Sequence, residues 1–132
     1  MEKFDLEERL IRFSVNIVDI VGALPDTRVG NHVAGQLLRS GTSPAPNYGE
    51  AQSAESRRDF IHKMKISLKE LRESYIWLKV IKYKTLIDDI PILDRVLTEN
   101  DELISIFVSS VMTAQRNLGA QGISSIEQGV MK

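Results

Sequence analysis

The sequence has no cysteine, which excludes disulfide staples, thiolate metal sites and cysteine nucleophiles and fits a reducing, cytoplasmic setting. Aromatic residues make up only 6% of the chain, with a single tryptophan, so the core must be built mainly from aliphatic side chains. No apolar run approaches the length that crosses a bilayer, and Met1 to Arg12 mixes acids and bases where a signal peptide would be apolar. Neither sign of charge is in excess. A net charge of −1 provides no global field toward nucleic acid or anionic lipid. The chain also lacks a phosphate-cradling glycine loop, a nucleophile elbow and a His-Glu-x-x-His pair, so no catalytic residue is assigned and no enzymatic activity is expected.

What remains is an ordinary globular composition, 42% hydrophobic and 27% charged over 132 residues, which is enough for one core and too little for two. The apolar residues are spaced for helices. Leu6, Leu10, Phe13, Ile17, Ile20 and Leu24 recur at steps of four and three, with Asp5 as N-cap and Pro25 as terminator. Ile11, Val15 and Val18 widen that apolar side, so this helix is expected to touch more than one neighbour. A second helix starts between Arg28 and Asn31 and runs through Val33, Leu37 and Leu38. Pro44 and Pro46 then break or kink it, because an interior proline costs about 3 kcal/mol in a regular helix.

Ser56, with Asp59 three residues on, caps a third helix whose expected core stripe is Phe60, Met64, Leu68, Leu71, Tyr75 and Leu78. Asp88 and Asp89 ahead of Pro91 start a fourth, which continues through Leu93, Leu97, Ile104, Phe107, Val111 and Leu118 to a stop at Gly119. Short connections favour antiparallel neighbours. The expectation is an all-α, up-down-up-down four-helix bundle over residues 1–119 with a proline-interrupted second helix, and a flexible tail over 120–132. Residues 59–85 hold seven Lys/Arg against three Asp/Glu, whereas residues 86–118 hold two against six, which suits the third and fourth helices to adjacent packing.

Possible sites are few. Asp59 before His62 is half of the carboxylate-x-x-His element of di-iron bundles, but His32 has Val29 at the matching offset, so no metal or other cofactor is expected. Acids at a helix start already have a role in capping, which accounts for Asp88 and Asp89. Lys65, Lys69, Arg72 and Lys79 share one arc of the third helix and form a stripe able to meet phosphates. The bland alternative is a solvated face, with Lys69 paired to Glu73 four residues later and supported by the acidic fourth helix. Ile66, Trp77 and Val80 fall on a different arc from the Phe60 stripe. A neighbouring helix or another subunit must cover them, and an interface between subunits is the favoured reading.

From Leu10 to roughly Leu86 the sequence resembles a family of bacterial four-helix-bundle proteins that includes products of intervening sequences in large-subunit ribosomal RNA genes. The resemblance is carried by Arg39-Ser40, by Ser43-Pro44-Ala45-Pro46-Asn47-Tyr48-Gly49-Glu50-Ala51, by Asp59-Phe60-Ile61-His62-Lys63-Met64, and by Ser67 to Leu78. It implies a barrel-like homopentamer. A relative, the accessory variability determinant of retroelements, works beside a reverse transcriptase and binds nucleic acid. This chain differs from that relative in its slightly acidic balance and in carrying Pro46 beside Pro44. Arg39, Asn47, Glu50, Glu70 and Glu73 match polar positions of the family pattern and are expected to form a network where the kinked helix meets the third. The functional expectation is a non-catalytic homo-oligomeric scaffold or adaptor, with an RNA- or DNA-binding accessory factor as the alternative. No small-molecule substrate is indicated.

Overall fold

In the computed structural model, the described residues are 5–127 for the backbone and 5–119 for the side chains, and those residues form helices without strands. The elements are α1 (Leu6–Ala23), α2 (Arg28–Thr42), α3 (Pro44–Gln52), α4 (Arg57–Lys84) and α5 (Ile90–Glu127). Ser43, between α2 and α3, keeps a right-handed helical conformation at φ −73°, ψ −35°. The pair is therefore one bent helix, and the architecture is the expected antiparallel four-helix bundle. The bend follows from the missing N–H groups of Pro44 and Pro46, with Pro44 tolerated because it opens the new helix segment.

The helix starts follow their capping residues. The Asp5 carboxylate accepts from the Glu8 N–H at 3.0 Å, Thr27 Oγ1 from Gly30 at 3.0 Å, Ser56 Oγ from Asp59 at 3.1 Å, and Asp89 Oδ1 from Ile92 at 3.1 Å. At the other end of α4, Thr85 turns into the left-handed region at φ 51° and its N–H bonds back to Lys82. Gly119 does not stop α5, which continues to Glu127. A single glycine costs a helix only about 1 kcal/mol, and no proline follows to end it. The expected tail over 120–132 therefore begins as helical backbone, and residues 128–132 lie outside the described residues.

The core is a continuous aliphatic cluster with Phe13 and Phe107 as its large members. In α1, Leu6, Leu10, Phe13, Ile17 and Ile20 are buried as their spacing requires. Ile11, Val15 and Val18 do not extend that core face. They stand 44%, 54% and 51% exposed, because α1 meets α2, α3 and α5 on its other arc. The core face of α4 is also rotated from the expected stripe. Met64, Leu71 and Leu78 are buried as expected, but Phe60, Leu68 and Tyr75 are only partly covered, and Ile61, Ser67, Ser74 and Ile81 complete the face. The reason is that α4 packs on two sides, against α5 with aliphatic residues and against the bent α2–α3 with small polar ones.

That polar seam is hydrogen-bonded. On the α5 side one buried polar residue, Asn100, donates from Nδ2 to the Leu71 carbonyl at 3.0 Å, whereas in the seam itself Ser74 Oγ donates to Ser40 Oγ at 3.0 Å and Ser67 Oγ to the Pro44 carbonyl at 3.1 Å. Small side chains here let the backbones approach closely. The same holds on the opposite side of the bend, where a Cβ on Gly41 would lie 2.7 Å from both Ile17 Cγ atoms. The α1 and α4 helices occupy diagonal corners of the bundle, with no backbone contact between them.

Candidate functional site

Trp77 projects from α4 toward the N-terminal half of α2. His32 meets it edge-on, with ring centroids 5.8 Å apart and planes at 78°, and the indole Nε1–H donates to Glu73 Oε2 at 3.3 Å. The ring is half-buried by its own chain. Of the residues grouped with it by sequence, Ile66 is also half-buried and Val80 is 37% exposed. Sequence spacing missed Val29, Ile76 and Tyr83, which are 57%, 60% and 72% exposed. Ile76 and Tyr83 belong to the C-terminal half of α4. Val29 lies one turn before His32 on α2, which places it at the same end of the bundle.

At the edge of this surface Arg39 reaches across from α2 to two carboxylates of α4. Its Nη1 lies 2.8 Å from Glu70 Oε2, and its Nη2 hydrogen-bonds Glu73. Glu73 thereby joins Arg39 to Trp77, so the structure brings together Arg39, Glu70 and Glu73 of the expected network. It does not bring in the other two. Asn47 Nδ2 donates to Ser43 within the bend, at 3.0 Å to the carbonyl and 2.9 Å to the hydroxyl, and the exposed Glu50 pairs with Lys63 at 2.7 Å. The Lys63 ammonium is held above its usual range chiefly by its hydrogen bond to Glu50, with Asp59 adding a smaller attraction.

The basic stripe is in place along α4. Lys65, Lys69 and Arg72 are exposed and form no ion pair with a described residue, so the expected Lys69–Glu73 pair gives way to Arg39–Glu73. Lys79 is different: its ammonium lies 5.6 Å from the Tyr75 ring centroid and 5.0 Å from that of Tyr83. Hydrogen bonding between the two shifts Lys79 upward and the Tyr83 hydroxyl downward from their ordinary values. Among the described residues, no group of three or more histidines or carboxylates converges as a metal-ion site, and no helix is long and apolar enough to cross a membrane.

A second apolar surface lies on the outer face of α1. Ile11, Val15 and Val18 follow steps of four and three, and Leu38 on the neighbouring α2 is 42% exposed. Ser14 Oγ reaches the Gly41 carbonyl at 3.4 Å, so the two helices run side by side at this level.

The 23S rRNA-intervening sequence protein family model matches residues 2–109. The chain belongs to that family. A solved structure described as a protein of unknown function from the S23 ribosomal protein family, from Bacteroides thetaiotaomicron, is 30% identical. It superposes with a TM-score of 0.74, covering 81% of this chain and 98% of that one. No curated protein matches the chain. Within the 23S rRNA-intervening sequence protein family, then, this member pairs a bent-helix bundle with two exposed apolar surfaces on α1 and α4.

Proposed function

We propose that the protein is a non-catalytic homo-oligomeric scaffold whose subunits join head to tail into a ring, five subunits being the number the family resemblance implies. The observation that carries this reading is the position of the two exposed apolar surfaces on α1 and α4, helices at diagonal corners with no backbone contact between them. A closed ring of identical subunits needs two different, complementary surfaces on opposite sides of each subunit. Exposed aliphatic clusters of this kind are the usual cores of such contacts.

Charge supports the pairing. The exposed acids Glu7 and Asp19 flank the α1 surface, whereas Arg28, Arg72 and Lys84 flank the α4 surface. Val80 and the uncovered edge of Trp77 belong to the α4 contact, with Ile66 farther along the same helix.

Light scattering coupled to size exclusion tests the reading on wild type, Val15→Glu and Ile76→Glu. Each variant alone should run as a monomer with unchanged helicity. An equimolar mixture should recover a species of two subunits, because each variant keeps the surface the other has lost. A monomeric wild type overturns the scaffold, and loss of assembly in only one variant overturns the head-to-tail arrangement.

A second reading, an RNA- or DNA-binding accessory factor, draws on Lys65, Lys69 and Arg72, which form no ion pair with a described residue. Neutralising all three should weaken RNA binding and reduce its salt dependence by about three counterions.

A further inference from the structure

A groove of about 300 Å³ lies between the first turns of α4 and the C-terminal part of α5, lined by Arg58, Ile61, His62, Lys65, Gln115 and Leu118. Arg58, His62 and Lys65 are spaced by four and three residues, so a helix places them within one arc of roughly 60°. None of the three forms an ion pair with a described residue, and no carboxylate of the described residues lines the groove. Asp59, the nearest acid in sequence, acts instead on Lys63. Along α5, the stretch from Leu103 to Gly119 contains no Asp or Glu. The positive end of α4 adds to the same field. Ile61 is buried and Leu118 half-buried, so the groove has apolar walls beneath its polar rim.

We propose that this groove binds a phosphate monoester. The ligand class follows from the donors. Guanidinium, imidazole, ammonium and the carboxamide N–H₂ come from four separate side chains and can all donate. A carboxylate offers two oxygens, which one arginine fork can satisfy, and a phosphodiester carries a single charge. A phosphate monoester carries close to two charges and three terminal oxygens, which matches two cations and two further donors arranged around one space. The ligand has two possible sources, a free phosphomonoester or the phosphorylated end of a nucleic acid strand, and the same chemistry recognises both. The proposal depends on neither the ring nor the second reading of function, because inorganic phosphate alone tests it.

The test is a chloride-balanced titration of the full chain with inorganic phosphate, followed in two-dimensional amide spectra. The expected result is a saturable shift confined to the amides around Arg58, His62, Lys65 and Gln115, with binding at least tenfold weaker in Arg58→Gln/Lys65→Gln. Both substituted side chains are exposed, and unchanged circular dichroism would show that the variant is folded. A single-stranded oligonucleotide with a 5′-phosphate is then compared with its 5′-hydroxyl counterpart. Preference for the phosphorylated strand, lost in the variant, identifies a strand end as the source. Equal binding of the two strands, alongside saturable phosphate binding, identifies a free phosphomonoester. Shifts that do not saturate, or a variant that titrates like wild type, overturn the proposal.

Discussion

Two glycines in the same helix should respond to alanine with opposite signs. Gly30 is buried at the third position of α2, and a Cβ there would lie 2.0 Å from the Pro25 carbonyl oxygen and 3.1 Å from the Pro25 ring. Backbone cannot yield as a side-chain tip would. Relieving the overlap means moving a carbonyl that accepts the Thr27 N–H at 2.9 Å, and disturbing the Thr27 cap on Gly30 itself. A lost hydrogen bond and a weakened cap cost about 1 kcal/mol each, and local repacking adds about 1 more. Alanine's better helix propensity returns about 1, leaving a net destabilisation of about 2 kcal/mol. Gly35, five residues on, is exposed with nothing within 4 Å of its added Cβ, so Gly35→Ala should stabilise by about 0.5–1 kcal/mol. Urea unfolding followed by circular dichroism, in a Val15→Glu background and at fixed protein concentration, keeps assembly from entering the comparison. Gly30→Ala unfolding at the wild-type midpoint or above would refute the argument from close approach.

Removing Arg39 leaves the Glu70 side chain, only 12% exposed, without its cation. Arg39→Ala should therefore destabilise by about 1–2 kcal/mol, between the values for an exposed pair and for a fully buried one because Arg39 itself is 52% exposed. Adding Glu70→Gln should recover part of the loss, and a double-mutant cycle measures how much. Asn100 is fully buried and its Oδ1 has no hydrogen-bond partner among the described residues, so a leucine of similar size, which removes that orphaned oxygen but also the Nδ2 bond to the Leu71 carbonyl, should change the unfolding free energy measured in urea by no more than about 1 kcal/mol. Ultraviolet titration should show Tyr83 ionising first, because Lys79 draws it down, and Tyr48 later, because burial pushes it up. For Tyr48 the unfolded state loses its proton near the ordinary value of 10 while the folded state retains it, so this contribution to stability falls as pH rises through and above 10. Loss of that decline in Tyr48→Phe would verify the source.

Much of the bundle is legible from short-range rules. The caps at Asp5 and Ser56, the bend at Pro44 and the buried stripe of α1 each depend on one or two residues and their immediate neighbours. Residues that answer to partners distant in sequence are read less well. The core face of α4 depends on the small Ser67 and Ser74 fitting against Pro44 and Ser40, and a hydrophobic stripe gives serine no weight. Helical spacing alone pairs Glu73 with Lys69, four residues away, whereas the arginine 34 positions away takes it, a pairing that only the family pattern implies. The surface on α1 was visible as Ile11, Val15 and Val18, yet apolar spacing alone does not distinguish a second core face from an uncovered one. Of the expected site groups, Arg39, Glu70 and Glu73 come together, while Asn47 and Glu50, about two and three helical turns beyond Arg39, bond instead to Ser43 and to Lys63.

The bend links the fold to the proposed assembly. Within five positions the chain presents Ser40 to α4, Gly41 to α1 and the Pro44 carbonyl to Ser67, so both neighbouring helices approach the elbow where it has least bulk. Helix spacing depends on side-chain size at the contact. No backbone contact joins α1 to α4, so the angle between their outer faces is set through the elements between them, the bent α2–α3 on one side and α5 on the other, each of which meets both. In a head-to-tail ring that angle decides how many subunits close the circle. The small residues of the elbow therefore do more than relieve crowding around two prolines: together with the packing of α5 they set the spacing of α1 and α4, on which the curvature of the proposed ring depends.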